Sequence, residues 1–279
     1  MKKIIEKAMI LLILIGSFLL TNIFINTRNK KDTIMKKIIE NKTKYIESSM
    51  DATILGKNII PGKKGIEVDI QKSYKRMKQY GSFSDSQMVL KEVKPSISID
   101  KNYSKYIIKG NHKKRMISLV FPVYKENDLS KIIEIVNSQK VKATFFLDGS
   151  YLENNQSIIR TNSNHQFEIL SYKNSYHSSF LETSLMYLEN ITKKEPKYCY
   201  TKNDNTSLLD FCKKRKMHTI KPTIYINKKL FSEVKHNLTN ALIISLEINT
   251  SIEKELLPTI EWIQNKGYEI VTLDKLLTE

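Results

Sequence analysis

The sequence predicts an α/β fold, a mainly parallel sheet wrapped by helices, preceded by an apolar N-terminal segment and a small basic α+β module. Three observations carry this reading. From residue 116 onward, short apolar runs alternate with helical stripes, the order in which parallel strands and their crossover helices are laid down. Charge is unevenly placed: residues 1–115 hold 25 Lys and Arg against 10 Asp and Glu, whereas residues 116–279 hold 21 against 19. Residues 8–25 run for 18 positions without a charge, close to the roughly 20 that span about 30 Å of hydrocarbon as a helix.

The chain therefore divides into a signal-anchor at 1–29, a basic stalk and accessory module at 30–112, and a larger domain at 113–279. A short basic stretch precedes the apolar segment, and no small-x-small cleavage pattern follows it, so an uncleaved single-pass anchor is expected. Lysines and Arg28 flank both ends, so positive charge alone does not orient it. Basic excess suits anionic lipid, an anionic envelope or nucleic acid equally. A membrane segment makes nucleic acid the poor candidate.

In the stalk, residues 32–47 carry Ile34, Ile38, Ile39, Tyr45 and Ile46 among lysines, a weak helical pattern. Residues 59–65 hold Pro and two Gly, which is turn chemistry. A second helical pattern follows at 68–77, and strands are expected at 88–93, 96–99 and 106–108.

In the larger domain, strands are expected at 117–121, 142–147, 167–171, 197–200, 219–225, 242–246 and 269–273. Between them stand amphipathic stripes: Leu129, Ile132, Ile133 and Val136; Leu181, Leu185 and Leu188; Ile252, Leu256, Ile260 and Ile263. Strand counting leaves an open sheet and a closed barrel equally possible. Cys199 and Cys212 are compatible with one disulfide or with two buried thiols. Neither a CxxC pair nor a Cys/His cluster of zinc spacing occurs.

Three segments carry a resemblance: SLVF at 118–121, KATFFLDG at 142–149 and NKGYEIVTLDKLL at 265–277. In that order and spacing the chain resembles the polysaccharide deacetylases, carbohydrate esterase family four, over about residues 116–277. The resemblance implies a distorted (β/α) barrel and a metal-dependent de-N-acetylase. Such chemistry needs a divalent ion to polarise the amide and activate water, a carboxylate base, and an acid for the departing amine. By the resemblance these come from an Asp-Asp pair, an HxxxH pair, an orienting Arg and a late His.

This chain departs at each position. Pro122 and Val123 stand at the paired aspartates, Leu170 and Asn174 at the histidines, Cys199 near the arginine and Leu246 at the acid histidine. No catalytic residue, metal ligand or cofactor is therefore expected; the alternative is a divalent metal such as zinc held by displaced ligands, with His165, His177, Asp148 and Glu247 the candidates. Asp148 reads more simply as the cap of a helix starting near Ser150. Tyr124, Tyr172, Tyr200 and Glu247, at expected strand ends, are the candidates for a glycan groove, since barrel sites form on that face.

The expectation is a membrane-anchored, extracytoplasmic pseudoenzyme that binds cell-wall glycan or an envelope protein. An active de-N-acetylase with a divergent site is the alternative, marked by bound metal and acetate release. A third reading makes the chain a structural assembly protein acting through the basic module; deletion of that module separates it from the first.

Overall fold

The computed structural model describes residues 15–18 and 32–279. The expected anchor at 8–25 lies, apart from residues 15–18, outside the described residues; among the described residues no helix is long and apolar enough to cross a membrane. The chain forms two compact units, one reaching to Ser49 and running again over Lys64–Val93, the other made of Met50–Lys63 and Lys94–Glu279.

The smaller unit contains the helices Thr33–Asn41 and Ile70–Tyr80 and an antiparallel pair, Gly65–Val68 with Leu90–Val93. Ile34, Ile38, Val68 and Met77 form its core. Asp32 caps the first helix by accepting from the Ile34 N–H at 2.8 Å, and Asp69 caps the second from Lys72 at 3.0 Å. Gly81, at φ 75°, ends that second helix in the left-handed conformation.

The larger unit holds an 11-stranded sheet. In chain order its elements are β1 (Thr53–Leu55), β2 (Asn58–Ile60), β3 (Tyr106–Ile107), β4 (Met116–Val123), α1 (Ser130–Ser138), β5 (Thr144–Leu147), α2 (Gly149–Leu152), α3 (Gln156–Thr161) and β6 (Gln166–Ile169). There follow α4 (Ser178–Thr192), β7 (Tyr198–Tyr200), α5 (Thr206–Lys214), β8 (His218–Ile220), β9 (Ile224–Ile226), α6 (Leu230–Asn237), β10 (Ile243–Leu246), α7 (Thr250–Asn265), β11 (Glu269–Ile270) and α8 (Leu273–Leu277).

The strands lie in the order β1-β2-β3-β8-β7-β6-β5-β4-β10-β9, with β11 on β4. All neighbours are parallel except the β1–β2 hairpin. The ladder has two free ends, so the expected distorted barrel is realised as a curled, open half-barrel.

Side-chain alternation along the strands gives the sheet two apolar faces. Ile117, Leu119, Phe121 and Val123 of β4 join the helix stripes of α1, α4 and α7 in one buried cluster. Val120, Phe146, Tyr198, Tyr200 and Ile243 line the other face, where Leu273, Leu276 and Leu277 of α8 cover them.

Three expectations are corrected. The single strand at 219–225 is two strands on different parts of the sheet, β8 against β7 and β9 against β10; between them Pro222 has no N–H for a ladder. Residues 96–99 form no strand; they are tied down by Ser96 and Ile97 N–H groups donating to Asp51. The run 269–273 is a two-residue strand that turns at Thr272 into the helix α8. Of the stretches within residues 30–112, β1 and β2, for which no strand is expected, and β3, expected at 106–108, hydrogen-bond into the large sheet.

Candidate functional site

Parallel strands bring their C-terminal ends to one rim, where the residues after β4, β5, β6, β7 and β10 meet. The positions that should carry catalysis do not converge there as functional groups. Val123 and Leu246 are fully buried in the cluster between sheet and helices, and so is Cys199. Leu170 is buried on the opposite face. Pro122 is buried, and Asn174 is exposed at φ 59°. Cys199 is bonded to Cys212, joining β7 to α5 with a Cα separation of 6.5 Å, within the usual disulfide span.

A divalent metal does not fit these residues. Among the described residues no group of three His, Cys, Asp or Glu is placed to hold an ion. The displaced-ligand candidates have other roles and are not brought together. His165 stands just before β6, at the opposite end of the strands; its Nδ1 accepts from the Ala143 N–H at 3.2 Å and its Nε2 donates to Asn137 at 3.0 Å. Burial, aided by the Lys142 charge, pushes its pKa down to about 4. His177 is exposed at the start of α4, with Nδ1 2.9 Å from the Ser179 hydroxyl.

Asp148 is 1% exposed and is saturated with donors. It caps α2 by accepting from the Ser150 N–H at 2.9 Å, as expected, and it accepts from the Ser150 and Ser171 hydroxyls. The N–H groups of Lys173 and Asn174 reach it at 2.9 and 3.0 Å. Burial works against its charge, yet these hydrogen bonds hold its carboxyl below the ordinary value. The aspartate thus pins the loop after β6 to the end of β5.

The four groove candidates divide. Tyr200 is 3% exposed, with its hydroxyl 2.7 Å from Ser245 Oγ and its ring 5.2 Å from Phe146; it is a packing residue. Tyr172 donates to Glu153 at 2.6 Å and packs on Phe180, outside the depression on the rim. Tyr124 remains half-buried and lines a depression of about 380 Å³ with Glu126, Asn174 and Tyr176. Burial and the charges of nearby carboxylates, Glu247 among them, push its hydroxyl up to about 12. Glu247, the residue after β10, accepts from the Tyr225 hydroxyl, and Lys202 lies 3.4 Å from the centroid of the Tyr225 ring.

Tyr176, Tyr225 and Lys202 were missed in the sequence. Tyr176 sits in a polar loop without periodicity. Tyr225 fell inside a run read as one strand, and only Pro222 signalled the break that carries it to the sheet edge.

Known proteins share this framework. Residues 109–203 match the polysaccharide deacetylase family model. The uncharacterized protein YlxY of Bacillus subtilis is 26% identical over 271 residues, covering 89% of this chain and 85% of that one. Among solved structures, BA3943 of Bacillus anthracis, described as a CE4 family pseudoenzyme, superposes with TM-score 0.68 at 22% identity, over 89% of this chain and 96% of that one. The Bc1960 peptidoglycan N-acetylglucosamine deacetylase superposes with TM-score 0.57 at 19% identity, over 62% of this chain and 94% of that one. The resemblance read from the sequence is borne out, and the fold is that of these proteins.

Proposed function

From a chain with a polysaccharide deacetylase domain match over residues 109–203, we propose a catalytically silent relative that holds cell-wall glycan at the outer face of the membrane, tethered through residues 8–25. The observation that carries this is the fate of the catalytic positions. Val123, Leu246 and Cys199 are core residues facing the helices, Leu170 is core on the other face, and Asn174 is turned out to solvent. A working site would need at least three groups to converge on one metal and one water, and the candidate ligands are separated or already saturated by hydrogen bonds. The similarity of fold to a protein described as a pseudoenzyme supports the same reading.

What the rim retains is binding surface. Tyr124 and Tyr176 offer aromatic area beside Glu126 and Asn174, and amphipathic rings with planar polar neighbours suit a sugar's apolar face and hydroxyls. The test is sedimentation of the full chain with purified peptidoglycan, with acetate measured in the same supernatant in added zinc, cobalt or manganese. Co-sedimentation without acetate is expected; acetate released at a steady rate overturns the proposal.

A further inference from the structure

The two ends of the parallel sheet differ in charge. Strands β4 to β8 are adjacent and parallel, so the residues leading into them gather at one end and those leaving them at the other. Entering are residues 113–115, 139–143, 162–165, 193–197 and 215–217, which hold ten Lys and Arg against one Glu. Leaving are 124–129, 148, 170–177, 201–205 and 221–223, which hold four of each sign. The end opposite the rim is therefore strongly basic. The near neutrality of residues 116–279 as a whole conceals it.

Nine of these ten cations are exposed, Lys114 being half-buried. Among the described residues, ion pairs take up Lys197, with Asp274 at 3.0 Å, and Arg215, whose Nε donates to Glu182 at 3.1 Å, and do not include Lys140, Lys142, Lys193, Lys194 or Lys216. Three of these lysines also stand in a costly conformation. Lys140, Lys193 and Lys216 follow α1, α4 and α5 at φ 54°, 56° and 54°, a left-handed position that helices ordinarily give to glycine. A cation suits the negative end of a helix, but a lysine anywhere in the last turn serves that purpose without a positive φ. Five strands at about 4.8 Å spread the charges over roughly 20 Å, wider than a single phosphate and matched by an extended anionic surface.

We propose that this basic end lies on anionic lipid headgroups and so turns the rim, with Tyr124 and Tyr176, away from the bilayer. The choice of lipid over other polyanions rests on the tether at 8–25 proposed above. A tether alone fixes distance; a second, electrostatic contact fixes which end faces the membrane.

The test places the full chain in lipid nanodiscs of phosphatidylcholine, with and without phosphatidylglycerol, and reads brief amine acylation of each lysine by peptide mass spectrometry. Lys140, Lys193, Lys194 and Lys216 are expected to react about fivefold more slowly in the anionic discs, the gain of one cation at an anionic surface. Lys125 and Lys173, exposed on the rim, keep their rates. The protection disappears in 1 M salt, where the screening length is about 3 Å. In the combined variant Lys140→Gly, Lys193→Gly, Lys216→Gly, which removes three charges at positions whose φ suits glycine, Lys142 and Lys194 lose their protection while the melting temperature does not fall. Equal rates in the two kinds of disc, slowing of Lys125 and Lys173 as well, or protection that survives in the variant overturns the proposal. Equal protection in neutral discs by an added glycerol phosphate polymer overturns lipid as the occupant. Capture of the chain by anionic discs alone takes down the tether and leaves the basic face standing; a chain that enters neither disc takes down both.

Discussion

Glu168 is a carboxyl group held 3% exposed, with no ion pair to it among the described residues. Its oxygens accept from the N–H groups of Lys197 and Tyr198 at 2.7 and 2.9 Å and from Gln166 Nε2 at 2.7 Å. It thereby bonds the main chain at the start of β7, whose pairing with β6 is confined to Ile169 and Cys199. Burial nevertheless dominates and raises its pKa to about 8, against about 4.3 in an unfolded chain. The folded state therefore keeps a proton that the unfolded chain has released, and stability falls as pH rises toward 8. His165 and His218, both with lowered pKa from burial, act oppositely, but only below about pH 6.5, where an unfolded His binds a proton. The window from about pH 6.5 to 8 thus belongs to Glu168. Denaturant unfolding across it should show wild type losing stability relative to Glu168→Gln, at on the order of 1 kcal/mol per pH unit; a constant difference between the two curves would refute this. Asp148 behaves the other way: its lowered carboxyl contributes stability above about pH 4 that is lost as pH falls through its folded-state value. Asp148→Ala leaves its buried serine and amide donors unsatisfied and should cost roughly 2–4 kcal/mol in urea melts.

At the scale of elements, the rim is held by covalent and steric devices. The Cys199–Cys212 disulfide closes a loop of sequence separation 13 between β7 and α5, and its reduction should lower stability by about 3 kcal/mol on the chain-entropy view; an unchanged melting temperature in reductant would count against that role. Gly149, the first residue of α2, sits where a Cβ would lie 2.3 Å from both Tyr172 Cδ2 and Ser184 Oγ. Gly149→Ala should therefore cost about 1–3 kcal/mol, measurable by thermal unfolding. The same reasoning bears on attempts to rebuild catalysis. Val123→Asp would place a carboxylate in the helix-facing core and should destabilise the domain by several kcal/mol without creating a metal site; gain of bound metal by that variant alone would contradict the register seen here.

The helix stripes were legible in the sequence because each buries one face on the sheet: Ile132, Leu185, Leu256 and Ile260 all lie in the central cluster. What escaped was long-range pairing. Nothing local in the 53–60 or 106–107 runs states that they extend the large sheet rather than a small module, because parallel partners lie far away in sequence. Pro222 did mark the break between β8 and β9, but only the fold shows that the two strands part to opposite regions of the sheet.

For the whole molecule, the same split governs function. Pro122, Val123, Leu170, Asn174, Cys199 and Leu246, at the positions to which the resemblance assigns catalytic groups, were legible in the sequence alone. The depression lined by Tyr124, Glu126, Asn174 and Tyr176 was not, since these residues come together only through folding. Tyr200, chosen for its place at a strand end, is instead bonded to Ser245 on the inner face. The role proposed for this chain is to hold cell-wall glycan and leave it unaltered. Its most direct test incubates the N-acetylglucosamine tetramer with an excess of the full chain in zinc, cobalt or manganese, and reads the sugar's intact mass. The tetramer is expected back at its starting mass, whereas stepwise loss of acetyl groups would contradict the proposed role.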